Sequence, residues 1–182
     1  MTACLPEPDV KAPKIQSYYD IEGLIDGQIV LLDSVNPSFL KAAVVDGKEE
    51  HFQGKIANGE WKGELQILRG YDLNKPTLSD RYTTLETGDS SQKIVRYISK
   101  SPGTTLIDTL TLTFDNSRKK PLKIHAHTHS ANSLFESGQT ADVVFSVMDD
   151  DIIMKSYHIE GWQKLFGKAA SHYSISSTLE LP

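Results

Sequence analysis

The stretch TLIDTLTLTFD, from Thr105 to Asp115, alternates apolar and polar residues with a period of two. Successive side chains of a β-strand point to opposite faces. Leu106, Leu110, Leu112 and Phe114 are therefore set one way, and Ile107, Thr109, Thr111 and Thr113 the other. HYSISSTLEL repeats the pattern: Tyr173, Ile175, Leu179 and Leu181 share a face opposite His172, Ser174, Ser176, Thr178 and Glu180. Strands buried on both faces read as unbroken apolar runs. An alternating pattern instead requires an antiparallel sheet with one packed face and one wet face.

Turn-rich breaks at 87–91, 101–103, 115–120, 137–138 and 149–151 divide the chain after Ser79. They leave five β-type runs up to Met148, then a pair at 152–166 and 173–181. EGWQKLFGKAA also suits a short helix, and it is assigned here to a strand. Before Ser79 the signals differ. Ile21, Leu24, Ile25, Ile29, Leu32 and Val35 make one helical stripe, Asp20 is placed to cap it and Asn36-Pro37 to end it. Asp46-Gly47 between FLKAAVV and KEEHFQGK predicts a two-residue hairpin turn. A second helix is expected over 58–70, capped by Asn58, closed by Gly70 and buried through Trp61, Leu65 and Leu68. DLNKP then reads as a loop. The expected class is α+β: an antiparallel meander of about seven strands plus an N-terminal hairpin, with two amphipathic helices packed on one face. The expected organisation is a tether over residues 1–14 and a single domain over 15–182.

A net charge of −5 argues against nucleic acid as a partner, because such binders carry a basic stripe. The one dense basic cluster, Arg118-Lys119-Lys120, lies between Asp115-Asn116-Ser117 and Pro121 and reads as a solvated turn. No run approaches the ~20 apolar residues of a membrane-spanning helix. Asp149-Asp150-Asp151 lacks the spaced ligands and glycine of a calcium loop. Glu60 and Glu64 are spaced like any surface pair on a helix. Neither a phosphate-binding glycine loop nor a G-x-S-x-G elbow occurs.

KIHAHTHS, from Lys123 to Ser130, is the stretch closest to chemistry. His125, His127 and His129 share a face opposite Ile124, Ala126 and Thr128. The outer two have Cα atoms roughly 13 Å apart, too far for one ion with Zn–N bonds near ~2.0 Å. Only a pair such as His125 and His127 suits a metal, and it would need a third ligand from another strand; the strand that follows, QTADVVFSV, offers Asp142 and no histidine. The simpler reading is a polar face shared with Thr109, Thr111 and Thr113, without a cofactor or a dedicated metal.

The chain opens MTACLPEPDVKAPK, and Cys4 is its only cysteine. Thr2-Ala3-Cys4 resembles the end of a bacterial lipobox, and Pro6, Pro8 and Pro13 suit an extended spacer behind a lipidated cysteine. With YYDIEGLIDGQIVLL, WKGELQILRGYDLNKP and the closing YHIEGWQKLFGKAASHYSIS, the order of pieces resembles a group of uncharacterised small lipoproteins of Bacteroidota. The resemblance implies an outer-membrane lipoprotein anchored through Cys4 and carrying a helix-covered sheet; it supplies no activity. The expectation is a non-enzymatic binding or accessory subunit of a larger envelope assembly, with an envelope protein as partner. The alternatives are a periplasmic carrier of an apolar ligand, a metal-dependent hydrolase built on His125 and His127, and, for location, the cytoplasm.

Overall fold

The computed structural model describes residues 17–181; Cys4 and the tether over residues 1–14 lie outside them. The chain is mostly antiparallel β-sheet. One helix, α1 (Ile21–Val35), is followed by β1 (Ser38–Val45) and β2 (Lys48–Gly54). Two single helical turns come next, α2 (Trp61–Glu64) and α3 (Gln66–Arg69), then a 3-10 turn at Pro76–Leu78. The remaining strands are β3 (Tyr82–Gly88), β4 (Gln92–Ser99), β5 (Ile107–Asp115), β6 (Lys123–Ala131), β7 (Phe135–Met148), β8 (Asp151–Leu165) and β9 (Ser171–Glu180). They form one open nine-stranded sheet in the order β2-β1-β9-β8-β7-β6-β5-β4-β3. The chain makes a hairpin at one edge, crosses to the other edge, and returns as a meander until β9 pairs with β1.

The helices and the crossover cover one face. Asp20 caps α1 by accepting from the Gly23 N–H, and Asn36 closes it in the left-handed conformation. Ile21, Leu24, Ile25 and Leu32 are buried against Leu110, Leu112, Ile153, Met154 and Ile159, which are all fully buried. Each such side chain contributes about 1.5–3 kcal/mol by leaving water. Gln28 is buried on the same stripe. Its side chain donates to the Ile152 carbonyl (2.9 Å) and accepts from the Met154 N–H (2.6 Å). β9 pairs with β8 only from Ser156 onward, so the Gln28 amide stands in for the neighbour that residues 152–154 lack.

Four expectations are corrected. The second helix is two turns broken at Leu65 (φ −95°, ψ 6°), and Glu60, not Asn58, precedes it without a side-chain cap. Trp61, Leu65 and Leu68 are nevertheless its buried residues; Trp61 meets Phe39 edge-on at 5.6 Å. Gly70 stays in right-handed helical geometry and makes no left-handed cap. The break expected at 137–138 falls inside β7, and the chain turns instead at 132–134. DLNKP is the expected loop, and its Asp72, Leu73 and Asn74 are buried as a latch. Asn74 accepts from the Tyr18 N–H and donates to the Tyr18 and Tyr19 carbonyls, fixing the entry into α1. Finally, a bulge in β5 between Ile107 and Thr109 reverses the assignment at its start. Ile107 is buried and Leu106 is exposed, because Asp108 is the extra residue and its carboxylate accepts from the Gly103 N–H.

Candidate functional site: the open face of the sheet

Among the described residues no helix covers the other face, and the strand register places its side chains in rows. His125, Asp142, His158, Ser176, Ala42 and His51 lie side by side across β6, β7, β8, β9, β1 and β2. The next row is His127, Thr140, Glu160, Ser174, Val44 and Glu49. A third holds His129, Gly138, Trp162 and His172. Thr109 and Thr111 stand opposite His127 and His125, and Thr113 opposite Lys123. All six histidines of the chain therefore project from one face.

The three histidines of β6 do not converge. His125 Nδ1 lies 2.8 Å from Asp142 on β7, His127 Nδ1 lies 3.8 Å from Asp108 on β5, and His129 Nε2 lies 3.4 Å from Glu136 on β7. Adjacent imidazoles thus lean towards opposite neighbours, each with its own carboxylate. Among the described residues no group of three or more His, Cys, Asp or Glu is gathered as a metal site. Asp108 is the partner that sequence spacing misses, because the bulge swings it towards His127.

Ser176, His158 and Glu160 follow the order of a nucleophile, a base and an orienting acid. The Ser176 hydroxyl is 2.8 Å from His158 Nδ1, and Glu160 is 3.6 Å from Nε2. Acyl transfer needs donors aimed at a developing oxyanion, usually the largest contribution to such catalysis. Here the backbone of β8 and β9 is spent on ladders to strands at either side. Among the described residues, Ser176, His158 and Glu160 thus form a line of hydrogen-bonding groups on the open face.

One concavity of this face is a cleft of about 360 Å³ lined by Val44, His127, Thr140, Glu160, Trp162 and Ser174, with Gly47, His172 and Tyr173 at its end. Trp162 makes one wall. Its indole lies on Gly138, where a Cβ would come within 2.8 Å of Nε1 and 3.2 Å of Cε2. On the reverse side Gly161 makes the same allowance for Tyr173, whose hydroxyl would lie 2.7 Å from a Cβ there. The end of the cleft is pinned by Asp46. It accepts from the His172 N–H and the Ser171 hydroxyl, both at 2.8 Å, and these bonds hold its carboxyl below the usual range. Sequence spacing assigned no role to this constellation. The available signal was a glycine inside each of two paired strands, which marks a close approach. Comparison with protein-family models, curated proteins and solved structures finds no match.

Proposed function

We propose that the protein is a non-enzymatic envelope lipoprotein, tethered through Cys4, whose open sheet face binds a partner within a larger outer-membrane assembly. The observation that carries this reading is the concentration of polar function on one uncovered face. Two rows of polar side chains run there from β5 to β9: Thr111, His125, Asp142, His158 and Ser176, and Thr109, His127, Thr140, Glu160 and Ser174. Short polar side chains on a rigid sheet form hydrogen bonds at small entropic cost, which suits recognition. The carrier alternative calls for an apolar chamber between sheet and helix; that space holds Leu32, Leu110, Leu112, Ile153 and Met154, packed together. The hydrolase alternative calls for convergent ligands, whereas His125 and His127 turn away from each other.

Site-specific photo-crosslinking in native membranes tests the binding face. A crosslinker at Thr111 should give one dominant adduct, and one at Val30, exposed on the outer side of α1, should give none. Adducts from Val30 and none from Thr111 would place the partner on the helical side and overturn the reading. The anchor is tested separately: Cys4→Ser should move the protein from the detergent phase to the soluble fraction.

A further inference from the structure

From the cleft walled by Trp162 we infer a binding site for a short neutral oligosaccharide. The inference rests on the reading of the open face as the binding side and adds a ligand class at one place on it. The volume of about 360 Å³ falls within the ~300–1,000 Å³ of small-molecule sites. Its shape follows the sheet. The row His127, Thr140, Glu160, Ser174, Val44 crosses five adjacent strands, β6 to β1. At ~4.8 Å per strand spacing the row is about 19 Å long, which suits several linked rings rather than one.

The chemistry of the lining selects the class. An indole offers a flat apolar surface, the counterpart of the C–H face of a pyranose ring. Glu160 and Trp162 are two residues apart on the same side of β8, so their Cα atoms lie roughly 6.7 Å apart. A ring stacked on the indole thus brings its hydroxyls to a carboxylate that accepts, and to hydroxyls of Thr140 and Ser174 that accept or donate. His127 and His172 add ring nitrogens at either end. Among the described residues Glu160 is the one carboxylate of the lining, and it would repel an anionic ligand. It also faces His158 at 3.6 Å, so it is not a lone counter-charge awaiting a cation. A neutral ligand rich in both donors and acceptors matches what remains. The pairing of Gly138 beneath Trp162 holds the indole in place before any ligand arrives, which lowers the ordering cost of binding.

The alternative is that Trp162 merely covers a glycine in a strand pair and strengthens the sheet. Titration calorimetry of the full chain with cellohexaose, maltohexaose, xylohexaose and mannohexaose separates the two. At least one should bind saturably. Trp162→Ala should weaken it more than tenfold and Trp162→Phe far less, while Glu160→Gln should cost several-fold. Thr140→Phe fills the cleft from a half-buried position on the open face without removing the indole, and it should abolish binding with circular dichroism unchanged. Saturable binding that survives both Trp162→Ala and Thr140→Phe would overturn the site, and binding of none of the four sugars would overturn the ligand class. Neither failure would touch the crosslink expected from Thr111, which tests the open face independently.

Discussion

The two faces of this sheet divide the chain's titratable rings between them. All six histidines stand on the open face, and all seven tyrosines lie on the covered side. A phenol is largely apolar with one polar tip, so it can enter a core where its hydroxyl finds a partner. Tyr82 donates to the Ile107 carbonyl at 2.8 Å, Tyr97 accepts from the Tyr19 N–H at 3.1 Å, and Tyr157 donates to Glu64, which also holds Lys41 at 2.7 Å. An imidazole carries two polar nitrogens and is costlier to bury, so it stays where water and carboxylates reach it. The covered face is thus built for stability and the open face for contact.

The largest expected effect exposes the covered face through its tyrosines. Burial pushes the Tyr19 phenol up to about 12, helped by Asp20 and Asp151, and burial pushes Tyr71 and Tyr157 higher still. A raised phenol favours the neutral form in the folded state. Its stabilisation is whole below pH ~10, where free tyrosine ionises, and is lost as pH rises through the folded value. Alkaline unfolding should therefore begin above pH ~10, with phenolate absorbance and circular dichroism changing together. Phenolate absorbance that rises with the fold retained would show these rings to be open to solvent.

Next comes core truncation. Leu110→Ala or Leu112→Ala should cost about 2–5 kcal/mol in denaturant unfolding. Thr109→Ala and Thr111→Ala, on the same strand but the opposite face, should cost under ~1 kcal/mol. Equal losses would erase the distinction between the faces. A smaller effect sharpens it. Gln28→Ala leaves the Met154 N–H and Ile152 carbonyl buried without that partner, at about 1–3 kcal/mol, and Gln28→Met should cost nearly as much despite its similar shape. Gln53→Ala, exposed on β2, should stay within ~0.5 kcal/mol. Smallest of all, changing His125, His127 and His129 together to Thr should leave the melting temperature nearly unaltered, because exposed ion pairs contribute about 0–1 kcal/mol. A chelator should leave it unaltered too, whereas a bound ion would have stabilised the folded state by mass action. Loss of the Thr111 crosslink in that triple variant would then locate the partner beside β6.

Strand periodicity carried most of the architecture. The seven runs after Ser79 and the Asp46-Gly47 hairpin correspond to nine strands, since period two and turn residues are local signals. The alternation likewise separates exposed His125 and His127 and half-buried His129 from buried Ile124, Ala126 and Thr128 along β6. What local signals lack is register. The bulge at Asp108 reversed Leu106 and Ile107, and nothing in TLIDTLTLTFD marks where the extra residue falls. Asn74 and Gln28 are buried polar residues whose side chains bond to backbone groups distant in sequence. The break at Leu65 lies within a well-spaced apolar stripe. The cleft depends on five strands aligning His127, Thr140, Glu160, Ser174 and Val44, a property of the sheet and of no single segment.

The pairing of β1 with β9 also sets an order in time. Asp46-Gly47 lets β1 and β2 zip together on the scale of ~1–10 μs. The other edge of β1 pairs with β9, Ser38 with Glu180 and Val45 with Tyr173, so it stays open until the far end of the chain reaches it. Closing so long a loop is slow, and proteins dominated by such distant pairings fold in about milliseconds to seconds. Throughout that interval FLKAAVV presents an unpaired edge with a single charge, the kind of segment that recruits a second copy of itself. Lys41 is that one charge, and its later engagement with Glu64 makes it a guard during assembly and a tie afterwards.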